Sequence, residues 1–209
     1  MYTPNAFRMD DRAELLAFMR AHSFATLVSS PGGALIATHL PVVIDDDGET
    51  ITISGHLARQ NPHVEAFDGE APSLVIFTGP HGYVPAALYE SSESVPTWNY
   101  IAVHATGIAR SVSLAEQRPA VDDAMHSMVS TYDPAYHRQY AELSDHFREG
   151  MLRGIVVFSL TVTQLEGKAK LSQNRNPHDQ AAVEAHLLAH PDPAAQATGA
   201  SMRDRRERP

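Results

Sequence analysis

The chain contains no cysteine. That absence excludes disulfides, thiolate metal sites and a cysteine nucleophile, leaving histidine and carboxylate as the side chains on which a metal could rest. Long apolar runs are missing as well. No segment approaches the ~18 uninterrupted apolar residues of a membrane span, and the start MYTPNAFRMDD lacks the basic-then-apolar order of a secretory signal. Together these features predict a cytoplasmic protein with no membrane partner. Positive charge is scarce too. Lys168 and Lys170 are the only lysines, and Arg59 is the only cation between Ala21 and Ala109, a span that holds nine acidic residues from Asp45 to Glu93. A formal net charge of -9 argues against generic binding to a phosphate backbone, which depends on lysine and arginine displacing counterions.

Several chemical signatures are also lacking. There is no GxGxxG, no phosphate-loop glycine run and no GxSxG nucleophile elbow. Of the twelve histidines, His39, His56, His81 and His104 fall in or beside strand-like runs, but no HxH or HExxH spacing joins them. No metal site is predicted and no catalytic residue is assigned.

What remains is patterned for one core. DRAELLAFMRAH reads as a helix capped by Asp10 or Asp11. FATLVSS, ALIATHLPVVI and TITISGHLA follow, separated by Pro31-Gly32-Gly33 and by the Asp45 to Gly48 turn, and predict a three-strand antiparallel meander. NPHVEAF opens a short helix, SLVIFTG is a strand, residues 79–98 form a loop, and NYIAVHATGIARSV is a further strand. Helical spacing returns over about 113–150 before the buried-type strand RGIVVFSLTVTQL and a final helix in NPHDQAAVEAHLLAH. The predicted class is mainly β (α+β): a closed antiparallel barrel with peripheral helices, spanning 1–190 with a helical insertion at about 113–150. Residues 191–209, rich in small residues and ending RDRRERP, are expected to form a flexible tail.

Two polar turns stand out at strand ends. SGHLARQNP, residues 54–62, combines small residues, the lone Arg59 and a helix start, features suited to a phosphate. An ordinary strand-to-helix turn with an exposed arginine is the competing interpretation. KAKLSQNRNP, residues 168–177, repeats the combination after the last strand. Two such turns in an acidic protein imply an anionic ligand. The only tryptophan, Trp98, lies in VPTWNY between Pro96 and Asn99. There its indole could cover a bound ring with its N–H at the rim, or simply close one end of a barrel.

IATHLPV, SGHLARQNP, GPHGYV, VPTWNY, GIVVF and KLSQNR, in that order from Met1 to about residue 188, resemble the PaiB family of FMN-binding negative transcriptional regulators. That family's fold is similar to the pyridoxamine-phosphate-oxidase (PNPOx-like) split barrel. The resemblance implies a homodimer of flavoprotein split barrels with FMN at the interface. Ala37, Thr38, His39 and Leu40 would edge the flavin ring, Gly55, His56, Ala58, Arg59 and Asn61 would surround the phosphate, and Lys170, Ser172, Gln173 and Asn174 would complete the site. Trp98 is the candidate ring cover. The oxidase's own substrate motifs are not recognisable. Alternative functions are an FMN-dependent oxidoreductase acting on a small acceptor, for which His39 and His81 are candidates, and a haem-binding split barrel. DNA remains a possible partner through the resemblance, but without the terminal RDRRERP the body holds 12 cations against 23 acids.

Overall fold

The computed structural model describes residues 1–207. Eight strands form one mainly antiparallel sheet: β1 (Arg8–Met9), β2 (Phe24–Ser29), β3 (Ile36–Pro41), β4 (Val43–Asp46), β5 (Ile51–Ala58), β6 (Asp68–Val84), β7 (Thr97–Val112) and β8 (Ile155–Lys170). Their hydrogen-bonded order is β3-β2-β6-β7-β8-β5-β4, with β1 beside β8. Among the described residues six α-helices accompany them: α1 (Arg12–Ala21), α2 (Arg118–Tyr132), α3 (His137–Glu142), α4 (Asp145–Arg153), α5 (Pro177–Leu188) and α6 (Pro193–Glu207). The chain divides into two compact units. One comprises Met1–Phe18, Thr78–Val103 and Glu166–Pro209; the other comprises Met19–Phe77 and His104–Leu165.

In the second of these units, β2 and β3 form a hairpin in which Thr26 faces His39 and Val28 faces Ala37. Its turn needs residues free of Cβ, since Gly32 and Gly33 have φ of 60° and 89°. A second hairpin pairs Val43 of β4 with Ser54 of β5. Asp47 Oδ1 tightens it by accepting from the N–H groups of Thr50 and Glu49 at 2.7 and 3.0 Å, and those bonds hold its carboxyl below the usual range. β5 continues the sheet onto β8, placing Gly55 opposite Phe158.

The expected meander and closed barrel are both corrected. ALIATHLPVVI breaks at Val42 into two strands that occupy opposite ends of the ladder, so the sheet is open. Val42 leaves the ladder because its backbone is engaged elsewhere: its N–H donates to Ser23 O at 2.9 Å, and its carbonyl accepts from the Tyr132 hydroxyl at 2.7 Å. Its side chain is fully buried, which fixes the break. α2, α3 and α4 lie in the sequence between β7 and β8, and Val121, Leu152 and Val157 join α2, α4 and β8 in a small core.

In the other unit, α1 is capped as expected by Asp11, whose Oδ1 accepts from Glu14 N at 2.7 Å. Met9 of β1 pairs with Gly167 of β8. The expected loop over 79–98 is shorter, because β6 runs to Val84, a 3-10 turn covers Ala86–Leu88, and β7 begins at Thr97. The flexible tail is also corrected. Residues Pro193–Glu207 form α6, with Ala195, Thr198, Gly199 and Met202 buried. α6 lies close to α5: a Cβ on Gly199 would stand 2.9 Å from Leu188 N, so only glycine permits this approach. Three of the terminal arginines form ion pairs, Arg203 and Arg206 with Glu184 and Arg205 with Glu14.

Candidate functional site

The residues expected to gather around a phosphate do not share one environment. On β5, side chains alternate between faces. Gly55 is buried, and a Cβ there would lie 3.1 Å from the Phe158 ring. His56 turns into a cavity bounded by Tyr136, Tyr140, Phe147 and Met151, and burial depresses its pKa. Ala58 is exposed. Arg59 is exposed as well, but its guanidinium donates to Arg153 O at 2.7 Å and to Ile155 O at 2.8 Å. The turn thereby ties the C-terminal end of α4 to the start of β8. Arg59 also lines a cleft of about 660 Å³, together with Arg118 and Glu149. Arg118 is engaged there by Asp122 and Glu149, which raise its pKa further.

Asn61 does meet the β3 segment. Its Oδ1 accepts from His63 N at 3.0 Å, capping the short 3-10 helix Pro62–Ala66, and its Nδ2 donates to Thr38 Oγ1 at 3.3 Å. Thr38 Oγ1 in turn shares a 2.9 Å hydrogen bond with His63 Nδ1. His63 Nε2 lies 2.8 Å from Ser29 Oγ, which is 2.7 Å from Ser73 Oγ. His63 is fully buried, stacks on Phe67, and has its pKa lowered by burial. Sequence reasoning missed this residue. NPH showed a helix start but not that the third residue points inward and anchors two strands. Along β3, Ala37 and His39 are exposed while Leu40 is buried, and His39 Nδ1 bonds Thr26 Oγ1 at 2.9 Å.

The other unit carries an aromatic and cationic face. Trp98, 51% exposed, lies on β7 rather than in a loop. Its ring centroid is 5.9 Å from that of His81 and 5.7 Å from that of Tyr83, both on β6. Tyr100 has the same parity on β7 and receives the Lys168 ammonium at 5.1 Å from its ring centroid. Lys170 has the same parity as Lys168 on β8, and its Nζ donates to Thr97 Oγ1. Its pKa is lowered, first by burial and then by the Lys168 charge. An anion beside the Lys170 ammonium would favour its charged form, while the buried Lys168 ammonium already donates to Tyr2 O at 3.1 Å.

At the end of β8 the chain turns sharply. Ser172 has φ of 64°, the only non-glycine residue among those described in the left-handed region. Its Oγ accepts from Asn99 Nδ2 at 2.9 Å on the buried side of β7. Gln173 braces the turn by accepting from Leu171 N at 2.7 Å and donating to Ala169 O at 2.5 Å. Asn174 is exposed, and Arg175 stacks 4.0 Å from the centroid of the Tyr89 ring. Glu90, His178 and Asp179 also cluster here. Asp179 Oδ1, however, accepts from Glu90 N at 3.0 Å, and Asn176 Oδ1 caps α5 by accepting from Asp179 N at 2.8 Å, so the group serves the turn.

A flavin mononucleotide needs an acceptor site for about two negative charges on its phosphate and flat cover for its ring. The exposed Trp98 ring fits the second demand, and the ammonium group of Lys170 at the neighbouring Thr97, with the strained turn that follows β8, fits the first. Comparison with known proteins points to the same ligand. Residues 1–164 match the family described as "Putative FMN-binding domain". The protease synthase and sporulation protein PAI 2 of Bacillus subtilis is 35% identical over 209 residues, covering 98% of both chains. The flavocytochrome Anf3 of Azotobacter vinelandii superposes with a TM-score of 0.60 at 14% identity, covering 84% of this chain and 75% of that one. The FAD and haem binding protein of Mycobacterium smegmatis gives 0.56 at 18% identity, with 84% and 78% covered. These two likenesses concern the fold. The ordered motifs, the full-length similarity and the match over residues 1–164 show that this chain belongs to the PaiB-like family of FMN-binding domains.

Proposed function

We propose that the protein binds FMN at the interface of a homodimer, with the exposed β3 edge of one copy along the flavin ring and the Trp98 face supplied by a second copy. The observation that carries this reading is the exposed group of His81, Tyr83 and Trp98, in which Trp98 follows Thr97, the partner of Lys170, and lies two residues before Tyr100, whose ring receives Lys168. Large aromatics left half-exposed next to cations suit a planar anionic ligand. Backbone groups of Ala37–Leu40 would meet the ring edge, with Thr38 held in place by Asn61 and His63. Lys170 and the turn at Ser172, Gln173 and Asn174 would face the anionic end. Arg59 acts in this reading as a brace for α4, because its guanidinium already donates to two carbonyls. The flavin, when bound, supplies redox chemistry; the chain's residues bind and orient it. A regulatory role through DNA gains no support from the terminal arginines, three of which are paired with carboxylates.

The test is an absorbance spectrum of the purified protein, with mass analysis of whatever it releases on denaturation. The expected result is a flavin spectrum and FMN mass, with occupancy strongly reduced in Lys170→Gln and Trp98→Ala. A colourless protein that ignores added FMN, or a Soret band with no flavin, contradicts the proposal.

A further inference from the structure

Glu90, His178 and Asp179 bring three ligand atoms together at the start of α5. His178 Nδ1 lies 3.6 Å from Glu90 Oε1 and 3.9 Å from Asp179 Oδ1, and the three atoms fall within 4.8 Å of one another. Among the described residues this is the one group of three histidine or acidic side chains that converges in this way. Glu90 and Asp179 stand 89 positions apart in the chain, so sequence spacing does not reveal the cluster. The turn accounts for part of the arrangement. Asp179 Oδ1 accepts from Glu90 N at 3.0 Å, and Glu90 Oε2 accepts from Asn176 Nδ2 at 3.3 Å. It does not account for the imidazole. Both carboxylate oxygens are too far from His178 Nδ1 for a hydrogen bond, yet the ring, 67% exposed and with water on its open side, is directed at them.

We infer that these three side chains form a binding site for a first-row divalent cation, with Zn²⁺ as the best match. One imidazole and two carboxylates are a donor set that zinc accepts in a chain without cysteine. A tetrahedral zinc ion with ligands at about 2.0–2.2 Å separates neighbouring donor atoms by about 3.3–3.6 Å. The two spacings to His178 Nδ1 already lie at or just beyond that range, and the Glu90 side chain, 58% exposed, has the freedom to close the third. Water completes the coordination. Asp179 is the fixed ligand: its side chain is 6% exposed and anchored by the Glu90 N–H. Asn176 steadies the second Glu90 oxygen, the role that hydrogen-bond partners of metal-binding carboxylates commonly play. The two carboxylates offset the positive end of the α5 dipole. Arg175, the nearest cation along the chain, is drawn onto the Tyr89 ring. An ion held here ties residue 90 to the first turn of α5 and couples folding to metal. The inference is independent of the flavin proposal, because none of the three residues is assigned to the flavin.

The test is calorimetric titration of the untagged full chain with Zn²⁺, alongside His178→Ala, Glu90→Gln and the control His186→Ala. His186 and His190, with ring centroids 5.9 Å apart, are the competing histidine pair. One saturable site per chain is expected, weakened at least about tenfold in His178→Ala and in Glu90→Gln, a difference of about 1.4 kcal/mol, and unchanged in His186→Ala. His178 and Glu90 are exposed, so both variants should melt with the parent in the absence of metal. Zn²⁺ should then raise the Tm of the parent and of His186→Ala but not that of His178→Ala. An equal concentration of Ca²⁺, which takes oxygen ligands, should leave Zn²⁺ bound. Absence of saturable Zn²⁺ binding, binding unaffected by loss of the His178 imidazole, binding lost in His186→Ala, or displacement by equimolar Ca²⁺ would each overturn the inference.

Discussion

Replacing His63 tests how the β3 segment is held. His63 is fully buried, and its ring joins Thr38 Oγ1 at 2.9 Å to Ser29 Oγ at 2.8 Å. His63→Leu keeps most of the volume and removes both bonds, each worth about 1 kcal/mol net. Thr38 keeps Asn61 and Ser29 keeps Ser73, so neither hydroxyl is orphaned. The expected loss is therefore about 2 kcal/mol, or roughly 4–8 °C in Tm for a chain of this size. His63→Ala adds a void beside Phe67 and should cost on the order of 4 kcal/mol. The assay is urea unfolding followed by circular dichroism, with the midpoint falling and the slope unchanged. The pH dependence supplies a second readout. Burial depresses the folded-state pKa of His63, so the unfolded chain binds protons more readily. Stability is then complete above about pH 6.5, the ordinary histidine value, and is lost as pH falls through it toward the depressed folded value. His63→Leu should flatten that decline by up to about 1.4 kcal/mol per pH unit. His56 and His22, depressed for the same reason, keep a residual slope of the same sign. A leucine variant as stable as the parent, with an unaltered pH profile, would refute this role for the network.

Other substitutions probe separate regions of the structure. A Cβ on Gly107 would stand 2.2 Å from Thr161 O, so Gly107→Ala must push β7 and β8 apart and should cost at least ~2 kcal/mol in urea unfolding. Truncation after Ala197 removes the buried Thr198, Gly199 and Met202, and Met202 alone contributes about 2 kcal/mol of burial; the shortened chain should melt earlier and expose α5 to proteolysis. Tyr132→Phe deletes the hydroxyl donated to Val42 O and should cost about 1 kcal/mol, measurable as a lower urea midpoint.

Much of the fold was legible where a local rule acted alone. Asp11, Asn61 and Asn176 cap as their side chains dictate, and Gly32, Gly33 and Gly48 mark turns because their φ values require it. The break at Val42 was not legible, since both flanking runs are apolar and the cause is a tyrosine hydroxyl ninety residues away. α6 was misread because its buried positions hold Ala195, Thr198 and Gly199, small residues that look like linker until α5 is seen packed against them. The site followed the same division. The sequence pointed to Trp98 and the lysines through their scarcity, whereas His63 and the inward turn of His56 depend on which face of a strand meets which neighbour, and spacing alone does not encode that.

Because Trp98 is the only tryptophan, its emission reports on one place in the molecule. Titration of the flavin-free protein with FMN, followed by tryptophan fluorescence with bound FMN measured in parallel by ultrafiltration, tests the central proposal most directly. Saturable quenching of Trp98 emission that tracks bound flavin, and that weakens in Lys170→Gln, is the predicted result. Stoichiometric FMN binding with unchanged Trp98 emission would contradict the placement of the flavin against this face.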